Sequence, residues 1–341
     1  METAAAYVGI AAGVTTSLLW VATSLLFTAA GHRIGPTIVN GIRIVVAIVL
    51  LGVTHRILFG LWIPGLDVTQ VLLLGASGVV GLAIGDQALF TSFVYIGPRV
   101  ATLVMASSPI VAAALGWVFL DEHLTISQMG GIGLVLVGVG WVILERPRSD
   151  DEDALEQARE QRTGSRYRAG YVYGCVLAFV GSACQAGGLL LSKRGMGHGW
   201  LPAEAHLDPL AATLVRMVFA AVGMIPILMW NRALRERRRK SQGPTSSSVV
   251  RIGTWRAGLA FTVCGAVVGP FLGVWLSLVA CDLVPLGIAQ TLISLSPVFI
   301  LPFAVLIHRE RLTMRAIGGA CLAVVGIAVL SMMTAGGDGG G

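Results

Sequence analysis

The sequence predicts an all-α polytopic membrane protein, ten transmembrane helices arranged as two inverted five-helix repeats. Three observations carry that prediction. The 341 residues are 55% hydrophobic and 12% charged, with a mean hydropathy of +0.80, whereas a soluble domain carries roughly 25% charged residues. Ten apolar runs are each near the roughly 20 residues that a helix needs to cross a hydrocarbon core. And two passages 188 positions apart are copies: Ser108-Pro109 with Glu122, Leu124, Thr125, Gly130, Gly131, Leu134, Val137 and Gly138 returns as Ser296-Pro297 with Glu310, Leu312, Thr313, Gly318, Gly319, Leu322, Val325 and Gly326. Five spans per copy is an odd number, so the second copy enters the membrane from the opposite side.

In chain order, the first span is Val8–Ala30. Met1 to Ala6 contain Glu2 but no Lys or Arg, so no cleavable signal peptide is expected and this run is retained. It places Thr16, Trp20 and Ser24 on one face by their spacing of four. The second span, Pro36–Thr54, contains Arg43, and the third, Val71–Tyr95, contains Asp86. The fourth, Val100–Leu120, is interrupted by Ser108-Pro109, and the fifth, Ile126–Leu144, is rich in glycine. Residues 7–144 are thus the first repeat.

A linker at 145–169 follows, with seven acids and six arginines that no bilayer core would accept. The second repeat, 170–334, holds the spans Gly170–Ser192 (with Ser182 and Gln185), Pro209–Trp230 (with Arg216), Ala257–Cys281 (with Trp275), Leu286–Ile307 and Ala316–Thr334. A glycine-rich tail at 335–341 is expected to be flexible.

The net charge of +6 does not point to nucleic acid, because nearly all the charge lies in the connecting loops. With the N-terminus outside, nineteen Lys and Arg fall in inner loops and three, Arg56, Lys193 and Arg194, fall outside. The positive-inside rule therefore places both termini outside. The basic loop Arg235 to Lys240, running into Gly243 to Ser248, reads as an orientation anchor with a linker, and is also suited to anionic lipid headgroups. The five cysteines lack metal-binding spacing, so neither a zinc site nor a cofactor is expected.

Ionised groups at membrane depth are costly and normally face a cavity or a partner, which singles out Asp86, Arg43 and Arg216. Arg43 lies seven residues past Pro36, about 10 Å of helix, and Asp86 ten residues before Ile96, about 15 Å. Both are measured from one membrane face, so they can meet, either as a closed ion pair or as the wall of a pocket. Arg216 repeats the place of Arg43, with Asp282 as its nearest acid by depth. Pro109 and Pro297 lack the N–H that would bond Met105 and Ile293, so each is expected to kink its helix and free a carbonyl.

Gln290, Ser294 and Pro297, with Thr291 beside them, form a polar seam that either lines a path or bonds helix to helix. Trp20 and Trp275, at mid-span rather than at the interface that Trp prefers, are suited to a cavity wall or to packing. Glu122 and Thr125, with Glu310 and Thr313, read as caps for the helices that follow. The repeated glycines read as helix-packing surfaces.

An enzyme is not expected. Gly75-Ala76-Ser77-Gly78 has the form of an intramembrane serine protease motif, but all six histidines lie at span edges or in loops, so no base is available at depth. Ile84-Gly85-Asp86 likewise lacks a second buried acid for an aspartyl protease.

Two inverted halves of five, each with Ser-Pro, a Glu-x-Leu-Thr turn and a Gly-Gly helix start, resemble the drug/metabolite transporter superfamily, specifically EamA-type permeases. The resemblance runs from Tyr7 to Ser331. It implies a bacterial inner-membrane permease or exporter of small metabolites such as amino acids, working by alternating access around a central cavity. Its partners would be a small-molecule substrate, protons and membrane lipids, with a homodimer as an open assembly. Such proteins are commonly drawn with both termini inside, and the charge distribution here departs from that. The competing class is a membrane scaffold or lipid-handling subunit, which would have no need for buried charge.

Overall fold

The computed structural model describes residues 2–34, 36–145, 165–199, 206–242, 252–300 and 314–335. Most of the charged linker, the stretch 243–251, the turn with Glu310, Leu312 and Thr313, the last part of the ninth span and the tail from 336 lie outside the described residues. Among those described there is no strand.

Among the described residues, nine helices are long and apolar enough to cross a membrane, and a shorter apolar helix, Leu286–Ile300, stands in the place of the ninth span. The helices are α1 (Glu2–Ile34), α2 (Pro36–Phe59), α3 (Val68–Ser77), α4 (Asp86–Met105), α5 (Ser108–Leu120), α6 (Ile126–Glu145), α7 (Ser165–Gly195), α8 (Pro209–Gln242), α9 (Ile252–Ala266), α10 (Val274–Leu283), α11 (Leu286–Ile293), α12 (296–300) and α13 (Met314–Ala335). The extended-backbone Asp67 caps α3, accepting from the Thr69 N–H while Gln70 returns to the Asp67 N–H. That N–H bond holds the Asp67 carboxyl below its ordinary pKa.

Spans three and eight are not plain α-helices. Each contains a π-helical stretch, Gly78–Gly85 between α3 and α4 and Val267–Gly273 between α9 and α10. The two align at the same 188-residue offset as the Ser-Pro copies, Gly81 with Gly269 and Gly85 with Gly273. Such stretches are rare and frequent at functional sites.

Spans of the two repeats pair across the molecule. α1 lies along α9, the second π stretch and α10, and its counterpart α7 lies along α3, the first π stretch and α4. α2 meets α8, α5 meets α11, and α6 meets α13. The last contact explains four of the six repeated glycines. A Cβ on Gly138 would lie 2.6 Å from the Gly319 carbonyl, and one on Gly326 2.8 Å from the Val135 nitrogen. Gly130 and Gly318 instead face open space, so the first glycine of each Gly-Gly pair is not a packing residue.

The prolines do not kink continuous helices. α4 ends at Met105, residues 106–107 turn, and Ser108-Pro109 opens α5 with Pro109 in its first turn. In the same way α11 ends at Ile293, residues 294–295 turn, and 296–300 resumes as helix. A missing N–H costs nothing in a first helical turn. The duplicated Ser-Pro is therefore a helix start inside the membrane, and each span is two broken pieces. Discontinuous helices of this kind surround sites near the bilayer midplane in transporters.

Candidate functional site

The first π stretch sets the site. Gly78, Gly81 and Gly85 let span three press against α7 and α8: a Cβ on Gly78 would collide with the Arg216 carbonyl, and one on Gly81 would meet the Arg216 guanidinium at 2.9 Å and the Gly188 backbone at 3.3 Å. Asp86, the next residue after the stretch, is thereby turned toward α2, α7 and α8.

Arg43 Nη2 stands 3.6 Å from Asp86 Oδ2. Arg216 on α8, whose guanidinium lies against Gly81, and Gln185 on α7 lie near the same carboxylate. The ring of Phe27 lies under the Arg43 guanidinium at 5.6 Å. Arg43 and Asp86 keep 14% and 21% of their side-chain exposure, so the pair is not sealed into a closed core. Nε of both Arg43 and Arg216 is buried without a hydrogen-bond partner. One acid is thus paired with Arg43 and has Arg216 nearby, and the Nε of each arginine is left without a partner.

Beside this group, Trp20 and Trp275 are half-buried and pack in one cluster with Ile44, Leu82 and Phe271 around Leu214 and Met217. The two tryptophans come from α1 and α10, so both repeats supply the aromatic wall next to the charges.

The expected seam exists and joins helices. Gln290 Nε2 donates to Ser108 Oγ at 2.9 Å, Ser108 Oγ donates to the Ser182 carbonyl at 3.2 Å, and Ser107 Oγ lies 3.0 Å from Ser182 Oγ. It ties the broken start of α5 to α11 and α7. Gln290 Oε1 is buried with no partner, which leaves one free acceptor in the seam. Pro109 is buried behind it and Pro297 is half-buried in the matching position. Thr291 and Ser294 are not part of the join, since their hydroxyls return to the carbonyls of Gly287 and Gln290 in their own helix.

Three expectations are corrected. Arg216 does not pair with Asp282, because it is held against Gly81 by the close approach of span three, and Asp282 is taken by His198 at 2.7 Å and His206 at 3.7 Å. Lys193 and Arg194 are buried rather than exposed orientation charges. Glu122 does not serve the helix after it; Thr125 and Gln128 cap α6 by themselves. Instead Glu122 Oε2 accepts the Leu286 N–H at 2.7 Å, at the start of α11, and Oε1 takes Lys193 Nζ at 2.6 Å. Lys193 donates onward to the Val284 carbonyl at 2.8 Å.

A carboxylate at a helix N-terminus is favoured by the helix dipole, so the role expected of Glu122 is right and the helix is a different one. Pro285, the N-cap residue of α11, marks in the sequence a helix start with unbonded N–H groups behind it, but not the acid that meets them. A cleft of about 360 Å³ lies over the staple, lined by Glu122, Lys193, His198 and Asp282 among others.

The motif Gly75-Ala76-Ser77-Gly78 is structural. Ser77 Oγ donates to the Gly188 carbonyl and lies 2.6 Å from Ser192 Oγ, so it joins α3 to α7.

The chain is similar to known proteins in sequence and in fold. It matches the EamA-like transporter family over residues 7–144 and 172–332, both repeats and most of the chain. The chain belongs to the EamA-like transporter family. As a member, it is a multi-pass membrane protein of a transporter family, which speaks for a non-enzyme. Among curated proteins it is 24% identical over 180 residues to the uncharacterized transporter YyaM of Bacillus subtilis (strain 168), an alignment covering 53% of this chain and 48% of that protein. The aligned part spans about half the length of that relative. A solved crystal structure shares the fold across 97% of this chain and 98% of its own, with a TM-score of 0.64 and 16% identity.

Proposed function

We propose that this EamA-family transporter carries a small carboxylate-bearing metabolite, an amino acid being the simplest that fits, across a bacterial inner membrane by alternating access. The observation behind this reading is the composition of the buried charge group: one acid, Asp86, opposed by Arg43 and Arg216, with unpaired guanidinium N–H groups. A carboxylate would find a counter-charge at Arg216 and Arg43, and an amine would find one at Asp86. Trp20 and Trp275 would bound the apolar part of the solute. The breaks at Ser108-Pro109 and Ser296-Pro297 would supply the points about which helix pieces move.

Asp86 is also the group suited to proton coupling. When a movement separates it from the arginines, its charged form loses its main support and a proton can bind.

Purified protein in liposomes, screened for flux against pooled amino acids and other carboxylates, tests the reading. Saturable flux that falls on Arg216→Gln supports it. Lipid scrambling without solute flux would make the chain a lipid-handling protein instead. A reporter fused after Ala335 should be active on the outer side, as the basic loops require, and a cytoplasmic signal would reverse the direction assigned to every loop.

A further inference from the structure

The cleft above the Glu122–Lys193 staple carries a second group of residues that the transport reading does not use. His198 and His206, in the connection between α7 and α8, converge on Asp282 at the end of α10. His198 Nε2 is 2.7 Å from Asp282 Oδ1 and His206 Nε2 is 3.7 Å from Asp282 Oδ2. The two imidazole rings stand nearly perpendicular, at 89°, with centroids 5.9 Å apart. One ligand atom from each of the three residues lies within 4.8 Å of the others.

From these positions we infer that His198, His206 and Asp282 form a binding site for a borderline divalent transition-metal ion of the zinc type. Three ligand atoms around tetrahedral zinc, at about 2.0–2.2 Å from the metal, are separated by a little over 3 Å. The two histidines meet different oxygens of Asp282, at 2.7 and 3.7 Å, and one atom from each residue lies within 4.8 Å of the others, so rotation of the side chains would draw the three onto one ion. Two imidazoles with one carboxylate select zinc, nickel or copper over magnesium and calcium, which prefer all-oxygen shells.

The positive groups nearby do not oppose the ion strongly. Lys193 is committed to Glu122 and the Val284 carbonyl. The Arg194 guanidinium lies beside Gly199. A fourth position faces the cleft and would hold water or a ligand from solution, the open coordination typical of accessible zinc sites. A bound ion would fasten the α7–α8 connection to the end of α10 and so stabilise the fold.

The test is zinc titration of the full-length protein in detergent, purified without a polyhistidine tag, followed by calorimetry and by thermal unfolding with and without EDTA. One zinc per chain is expected, with a rise in Tm that saturates and is reversed by EDTA. Cobalt should give the visible bands of a low-coordinate site. His206, half exposed on its side chain, can be changed with least harm: His206→Ala should weaken zinc by at least about tenfold while the metal-free Tm stays put. His206→Cys, which restores a ligand, should recover binding. Asp282→Asn should lose it. If zinc binding is absent, is unchanged in His206→Ala, or is displaced equally by calcium, the three residues are only a His–Asp hydrogen bond at the cleft rim and the inference fails.

Discussion

The two π-helical stretches share a backbone and differ in their side chains. In the first repeat Gly78-Val-Val-Gly81 runs through Gly85 to Asp86; in the second, Ala266-Val-Val-Gly269 runs through Gly273 to Val274 and Trp275. Where the first places a carboxylate against Arg43, the second places a buried valine and an aromatic ring. The Ser-Pro helix starts, by contrast, are alike in both. Symmetry thus resides in the backbone devices, and asymmetry in the groups that face the centre. Under the proposed transport function, the shared backbone devices would be the equivalent moving parts that open to either side, and the single set of ionised groups would match one solute's charge pattern.

The largest effect should come from the residue that sets the two stretches apart. Asp86→Asn should lower solute flux by at least about tenfold, the loss typical of an interaction worth some 1.4 kcal/mol or more, while Val274→Ala at the matching position leaves flux near wild type. Liposome uptake measures both. Equal losses would mean that the stretches act only through backbone shape.

Next is the staple between the repeats. Glu122→Gln leaves Lys193 buried without its carboxylate and should cost about 3–5 kcal/mol, read as a fall in Tm. Changing Lys193→Met as well should recover part of that loss, since an uncompensated charge is the expensive item. No recovery would show that the Leu286 N–H bond, rather than the ion pair, carries the contact.

A smaller effect separates Gly78 from its partner Ala266. The second repeat already tolerates a Cβ here, whereas one on Gly78 would drive into the Arg216 carbonyl. Gly78→Ala should destabilise by about 1–3 kcal/mol through overpacking, and Ala266→Gly by less. A Gly78→Ala protein as stable as wild type would contradict the close approach of span three to α8.

The smallest effect is at the Gly-Gly starts of α6 and α13. Gly130→Ala and Gly318→Ala meet open space and should be neutral or gain about 0.5–1 kcal/mol from helix propensity, while Gly138→Ala should destabilise. The thermal stability of the three variants side by side checks it.

What the sequence determined by itself is local or repetitive. Hydropathy located the spans because insertion into lipid depends on residues taken about twenty at a time. The 188-residue copy announced two repeats, and the scarcity of charge at depth singled out Asp86, Arg43 and Arg216. The meeting of Arg43 with Asp86 was legible because the two lie on neighbouring spans at similar depth.

What the tertiary structure decided is which distant groups meet. Arg216 lies against Gly81 while Asp282 is taken by His198 and His206, Glu122 caps a helix 164 residues away, and Lys193 is buried at the joint. It also turned the Ser-Pro kinks into helix starts and revealed the π stretches. None of these follows from the periodicity or depth of a single helix. They depend on how closely helices of opposite repeats approach. That distance is set by small residues such as Gly78, Gly81 and Gly138, whose effect exists only once a second helix lies against them.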